Sequence, residues 1–140
     1  MLFHTYIKVE SHSSKKNRKT IRFNKRTGKM FIAQESKEKE KLNRLEYKLK
    51  QEKILQKIKE PFEQALHLKV HFHYPNTKLG KRTKRVIDLT NLIQGVEDCL
   101  ESTKIIQNDK LIESYDQSRR IYGSEELAVE LWLYEFKQDL

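Results

Sequence analysis

The clearest hydrophobic alternation in the chain runs through residues 65–74. The positions that alternate are Leu66, Leu68, Val70, Phe72 and Tyr74 against His67, Lys69, His71 and His73. Successive side chains of a strand point to opposite faces, so this pattern predicts a strand with one apolar and one polar face. Three histidines on one face could bind zinc. Because no cysteine is near and no further ligand has a usual zinc spacing, an exposed sheet face is the favoured interpretation.

A helical period replaces the alternation further along the chain. The apolar positions of residues 89–103 that fall on one face are Leu89, Leu92, Ile93, Val96, Cys99 and Leu100, and the polar residues opposite them are Asn91, Gln94 and Asp98. This pattern predicts an amphipathic helix. Residues 35–59 are rich in Glu, Lys, Leu and Gln and lack Gly and Pro, which predicts a second helix. Its apolar positions fall on two sides, so either the helix is buried on both of these sides or it breaks near Gln51.

Weaker patterns complete the predicted fold. Further strands are expected at residues 2–9, 20–24, 29–33, 110–122 and 127–136, and 20–33 has the pattern of a hairpin. The last strand is apolar on both faces, which is typical of a strand inside a sheet. Together these elements predict an α+β fold, a single domain over residues 1–140 with a mixed β-sheet and two main helices.

Charge is distributed unevenly along the chain, which has a net charge of +9. Residues 1–29 contain nine basic residues and one acid, whereas residues 88–140 contain five basic residues and twelve acids. The basic part predicts a polyanionic partner. The single cysteine, Cys99, excludes a disulfide within the chain and lies on the apolar helix face. No apolar run approaches ~20 residues and no signal peptide is recognisable, so a cytoplasmic protein without contact to a membrane is expected.

Two basic segments and two separated acids are the candidate chemistry. The basic residues expected to bind a nucleic-acid backbone are Lys15, Lys16, Arg18, Lys19, Lys81, Arg82, Lys84 and Arg85. Asp88 stands at the start of the helix of residues 89–103, and Asp109 follows that helix. Carboxylates bind hard divalent cations. A metal-dependent nuclease has such a cation beside basic residues that bind phosphate. Alternatively, Asp88 is only a helix N-cap, Asp109 is only a turn residue, and the first basic segment is a solvated loop.

A resemblance to a known family is carried by several short motifs in order. These are Asp88-x-x-Asn91, Asp98-x-Leu100, Asn108-Asp109, Arg119, the early segment Ser14–Arg18 and the turn of residues 24–28. In order and spacing they resemble the RusA family of Holliday junction resolvases, small metal-dependent endodeoxyribonucleases. The resemblance implies that Asp88 and Asp109 bind Mg²⁺ or Mn²⁺ and that Arg119 acts in catalysis by facing phosphate. It also implies branched DNA as the substrate and a homodimer.

Three positions depart from the family pattern. Thr90 stands where a metal-binding Asp is usual, Gln94 where a lysine is usual, and Asn108 at the first position of an Asp pair. A Thr hydroxyl can ligate a metal but cannot neutralise its charge, so Thr90 is a weak metal ligand at best. Asn91, Gln94 and Asp98 are expected to support the site. Three hypotheses follow. The first is a junction-cleaving endonuclease, and the second is a junction- or nucleic-acid-binding protein of the same fold with little or no cleavage. The third, an RNA-binding basic protein, has only the composition as its support.

Overall fold

A five-stranded mixed sheet organises the chain around its longest strand. A computed structural model describes residues 1–13, 19–24, 29–34, 36–76 and 88–138, with side chains in 1–13, 40–76 and 88–138. The strands of this sheet are β1 (Phe3–Lys8), β4 (Leu66–Tyr74), β5 (Ile112–Ser114), β6 (Arg119–Tyr122) and β7 (Ala128–Glu135). β7 lies between β1 and β4 and is antiparallel to both, whereas β5 and β6 pair with the other edge of β4 in parallel. The predicted interior position of the last strand is confirmed.

The single strand predicted at residues 110–122 is wrong, because the structure divides that segment into β5 and β6. A turn separates them, and Gln117 within it has a positive φ of 68°. Where the pairing with β4 is interrupted, the Ser118 hydroxyl accepts a hydrogen bond from the Val70 amide at 3.0 Å. A side chain thus satisfies a backbone donor that a continuous strand would have paired.

The predicted hairpin is confirmed as a separate small sheet. β2 (Lys19–Asn24) and β3 (Lys29–Gln34) pair antiparallel with Asn24 opposite Lys29, and the turn between them lies outside the described residues. The two sheets are distinct in the part of the chain that the structure describes.

Two helices cover one face of the five-stranded sheet. α1 (Ser36–Leu55) and α2 (Leu89–Ser102) pack with the apolar face of β4, as the alternation and the α2 stripe predicted. The core formed there includes Phe3, Ile7, Leu45, Leu49, Leu66, Leu68, Val70, Phe72, Leu92, Ile93, Val96, Cys99, Leu100, Ile105, Ile106, Val129, Leu131 and Leu133. Burial raises the pKa of the Cys99 thiol to about 12, which agrees with a core residue.

Neither alternative for the first helix is correct. α1 continues past Gln51 to Leu55, and among its described side chains, those of residues 40–55, it buries only one side, through Leu45 and Leu49. Ile54 and Leu55 are 75% and 72% exposed. The reason is that the sheet and α2 offer an apolar surface to one side of α1 only.

The sheet face opposite the helices carries polar and aromatic side chains, and is here named the open face. Its residues include His67, Lys69, His71 and His73 of β4 with Glu130, Trp132 and Tyr134 of β7. No helix in the described part of the chain is both long enough and apolar enough to cross a membrane.

Candidate functional site: an acidic group at the end of α2

Three carboxylates meet where α2 ends. Asp98 and Glu101 in the last turns of α2 and Asp109 beyond it have ligand oxygens within 4.8 Å of one another, and this set is named the acidic group. Asp98 and Glu101 are three residues apart, a spacing that puts two side chains on the same helix face. All three side chains are half-buried.

The chain returns to α2 through a tight turn that brings Asp109 to this face. Lys104 adopts a left-handed conformation with φ 61°, which reverses the chain after the helix. The amides of Ile105 and Ile106 both donate to the Leu100 carbonyl, at 3.1 and 3.2 Å. Ile105 and Ile106 are fully buried, so the hydrophobic core fixes the path that leads to Asp109.

Asn108 has a local structural role beside Asp109. It caps a 3-10 turn (Asp109–Leu111), because its side-chain oxygen accepts a hydrogen bond from the Lys110 amide at 2.8 Å. An Asp carboxylate would accept the same bond, so the substitution at this position keeps the turn that carries Asp109. The Asn108 side chain thus positions the turn that carries Asp109.

The acidic group has the donor chemistry of a hard-cation site. It offers only carboxylate oxygens, which Mg²⁺ and Mn²⁺ prefer to nitrogen or sulfur. The ligands of one Mg²⁺ lie at most about 4.2 Å apart, twice the ~2.1 Å bond length. No two of the three ligand oxygens are more than 4.8 Å apart, so small side-chain rotations would bring them to that span. The residues present therefore fit a divalent cation.

Asp88 lies at the opposite end of α2. It occupies the N-cap position and is exposed, but its carboxylate makes no capping hydrogen bond. Capping thus does not account for this side chain. Glu101 follows Asp88 by thirteen residues, or about 20 Å along the helix axis at ~1.5 Å per residue. Within one chain the predicted pair of Asp88 and Asp109 is therefore not brought together.

The other predicted residues of α2 fall between these two ends. Thr90 and Gln94 are exposed and Asn91 is half-buried, all in the first two turns near Asp88. Asp98, expected only as a supporting group, instead lies beside Asp109. Glu101 was not singled out from the sequence at all. Its only sequence signal is the three-residue spacing from Asp98, which is common on solvated helix faces.

Arg119 lies on the other side of the sheet. It is exposed on β6 and pairs in register with His71, so it shares the open face. There it lines a shallow cavity of about 330 Å³ with Lys69, His71 and Gln117. The sheet separates Arg119 from α2 and the acidic group.

The side chains of the predicted DNA-contact residues lie outside the described part of the chain. Lys15, Lys16 and Arg18, and the four basic residues of 81–85, lie outside the described residues, and only the backbone of Lys19 is described, in β2.

A comparison with protein families accounts for most of the chain. The model of the family named Endodeoxyribonuclease RusA matches residues 11–132, a span that includes Asp88, α2 and the acidic group. No curated protein matches the chain. The motifs, the mixed sheet with its two helices and the family match all agree, and the chain belongs to the RusA endodeoxyribonuclease family.

Proposed function

We propose that this protein is a divalent-metal-dependent endonuclease that cleaves four-way, or Holliday, junction DNA. Family membership supports DNA cleavage as the reaction class. The observation that supports the metal dependence is the acidic group, in which ligand oxygens of Asp98, Glu101 and Asp109 lie within 4.8 Å of one another. A divalent cation held by carboxylates is the group that a metal-dependent phosphodiester hydrolysis uses.

Asp109 is the central metal ligand in this proposal. Its oxygens, with those of Asp98 and Glu101, would hold Mg²⁺ or Mn²⁺. The bound ion would activate a water molecule and polarise the scissile phosphate. The buried turn through Ile105 and Ile106 holds Asp109 in position, and Asn108 fixes the local backbone. A pre-formed site of this kind needs little rearrangement when metal and DNA arrive.

Asp88 would join the site from a second copy of the chain. About 20 Å of helix separates it from Glu101 in its own chain, so a shared ion needs Asp88 of one protomer beside Asp109 of its partner. The homodimer that the family resemblance implies would supply that second copy, and its two-fold symmetry would suit a four-way junction. Thr90 would then contribute a hydroxyl beside Asp88, with Asn91 and Gln94 supporting the same end of the helix.

The basic segments would bind the DNA backbone. Lys15, Lys16, Arg18 and Lys19 form one segment, and Lys81, Arg82, Lys84 and Arg85 form the other. The second segment directly precedes Asp88 in the chain, so phosphates bound there would lie near the start of α2. The Arg119 guanidinium would contact phosphate from the open face. We place the reaction in the cytoplasm.

A binding protein without cleavage is the second candidate, and residues at the start of α2 favour it. Thr90 and Gln94 are exposed there and offer neither a second carboxylate nor an amine beside Asp88. A site with fewer carboxylates binds a divalent cation less tightly. Without an amine at position 94, the negative charge of the transition state is also less stabilised. Junction binding without turnover would be the result.

A cleavage assay separates the two candidates. A labelled four-way junction is incubated with Mg²⁺ or Mn²⁺ and wild type, Asp109→Asn, Thr90→Asp or the control Asp116→Asn, which changes an exposed acid outside the acidic group. The endonuclease proposal expects cleavage by wild type and Asp116→Asn, none by Asp109→Asn, and equal or faster cleavage by Thr90→Asp. Binding without cleavage in wild type, with cleavage gained in Thr90→Asp, would establish the second candidate.

Mixing two inactive variants tests the two-chain site. In a mixed dimer of Asp88→Asn and Asp109→Asn, one site combines both intact carboxylates if each site uses two chains. Cleavage should then reappear on mixing. If mixed dimers form but stay inactive at every ratio, Asp88 does not act on the acidic group of a second copy.

A further inference from the structure

A second group of potential metal ligands lies on the open face, across the sheet from the acidic group. His71 and His73 of β4 and Glu130 of β7 have ligand atoms within 4.8 Å of one another. His71 pairs in register with Glu130, and His73 is the next residue of β4 on the same face. The sheet register itself therefore brings the three side chains together.

The closest pair in this group already has the spacing of metal ligands. His73 Nε2 lies 3.1 Å from Glu130 Oε1, and these side chains are only 15% and 21% exposed. Ligands of a tetrahedral zinc ion with bonds of ~2.1 Å are about 3.4 Å apart. A zinc ion could therefore replace the direct contact with little movement of either side chain.

Two of the three side chains, those of His73 and Glu130, are also oriented by hydrogen bonds to residues outside the group. His73 Nδ1 lies 2.8 Å from Ser124 Oγ. The second oxygen of Glu130 lies 2.9 Å from His4 Nε2. Metal-binding histidines and carboxylates in proteins are held by outer partners of this kind, which fix the ring orientation and free the other atom for the metal.

We propose that His71, His73 and Glu130 bind a zinc-class divalent transition metal ion, with a fourth position open to water from the adjoining cavity. His4 and Ser124 serve as positioning residues for Glu130 and His73. Two imidazoles and one carboxylate suit Zn²⁺, Co²⁺ or Ni²⁺, whereas Mg²⁺ prefers oxygen ligands only. The site is thus chemically distinct from the acidic group and joins the two central strands, β4 and β7.

The electrostatics of the open face contain both favourable and opposing charges. Burial and then the nearby charges of Arg119 and Lys69 lower the pKa of His71. The same cations repel a bound metal. The Lys69 ammonium lies over the Trp132 ring, 4.3 Å from its centre, where the ring attracts its charge. Glu130 supplies a carboxylate directly to the metal.

Calorimetric titration of the tag-free full-length protein with ZnCl₂ in excess Mg²⁺ tests the proposal. One zinc ion should bind per chain. His71→Ala and Glu130→Gln should each weaken the affinity by about 100-fold or more, and Ser124→Ala by about 10-fold, as expected for an outer partner. Substitution with Co²⁺ should give the visible absorption of a tetrahedral site in wild type and lose it in His71→Ala.

Two matched variants locate the site. His67→Ala removes a histidine of the same strand and face that is outside the ligand group, and Asp109→Asn alters the acidic group. Neither should change zinc affinity by more than about two-fold. No saturable zinc binding in wild type would overturn the proposal and leave a hydrogen-bonded network of His4, Glu130 and His73. Equal zinc affinity in wild type, His71→Ala and Ser124→Ala, with folding verified by circular dichroism, would also overturn it.

Discussion

Replacing Asp109 by asparagine should stabilise the protein without metal and abolish its stabilisation by Mg²⁺. The reason is that the acidic group brings three carboxylates within 4.8 Å of one another. Asparagine keeps the shape of the side chain and removes one negative charge, so two repulsive pairs disappear. The capping bond of Asn108 to the Lys110 amide does not involve the Asp109 side chain and should persist.

The size of the effect follows from the spacing. At 4.8 Å, the largest separation within the acidic group, two unit charges repel by about 0.9 kcal/mol in water, and 0.1 M salt reduces this to about 0.6 of its value. Two pairs then contribute at least about 1.1 kcal/mol, or a rise in Tm of at least about 4 °C for a chain of this size. If Mg²⁺ binds wild type with a Kd near ~1 mM, 10 mM Mg²⁺ adds about 1.4 kcal/mol. The variant should lack that gain.

Urea denaturation followed by circular dichroism, in EDTA and in 10 mM Mg²⁺, measures both effects. The expected result is a crossover, with Asp109→Asn more stable than wild type in EDTA and no more stable in Mg²⁺. Asp116→Asn removes an exposed acid outside the acidic group and should follow wild type in both buffers. The reasoning is refuted if Asp109→Asn is less stable in EDTA, or if Mg²⁺ stabilises it as much as wild type.

Three further predictions test packing and titration. Leu49→Ala should lower the free energy of unfolding by about 2–5 kcal/mol and Ile54→Ala by less than about 0.5 kcal/mol, because Leu49 is fully buried and Ile54 is 75% exposed. Equal losses in urea titrations would contradict the burial of α1 on one side. Burial lowers the pKa of His12, so the unfolded chain takes up the proton first, and the free energy of unfolding should fall as the pH drops below about 6.5. His12→Phe should flatten this dependence in urea titrations from pH 7 to 5. An unchanged slope would exclude His12 as its source. Since the pKa of Cys99 is raised to about 12, iodoacetamide should modify it at pH 8 only after unfolding, and rapid labelling of the folded protein would count against its burial.

Local periodicity was sufficient for most of the fold. The alternation of β4 and the stripe of α2 placed their buried faces correctly, because periods of 2 and 3.6 residues convert directly into faces of a strand or helix. The division of residues 110–122 into β5 and β6 was not predictable in this way. It depends on the parallel edge of β4 and on the Ser118 hydroxyl that satisfies the Val70 amide.

The amino-acid sequence by itself determined the family, through the order and spacing of its motifs, and identified Asp88, Asp98 and Asp109 as the acids of interest. Only the tertiary structure decided which of them meet. Asp98 and Glu101 join Asp109 because a turn with buried Ile105 and Ile106 folds the chain back onto α2, whereas the rigid length of α2 keeps Asp88 away. The grouping of His71 and His73 with Glu130 likewise comes from strand register. Contacts between distant parts of a chain depend on how the elements pack around the hydrophobic core, and the spacing of residues along the sequence does not determine that packing.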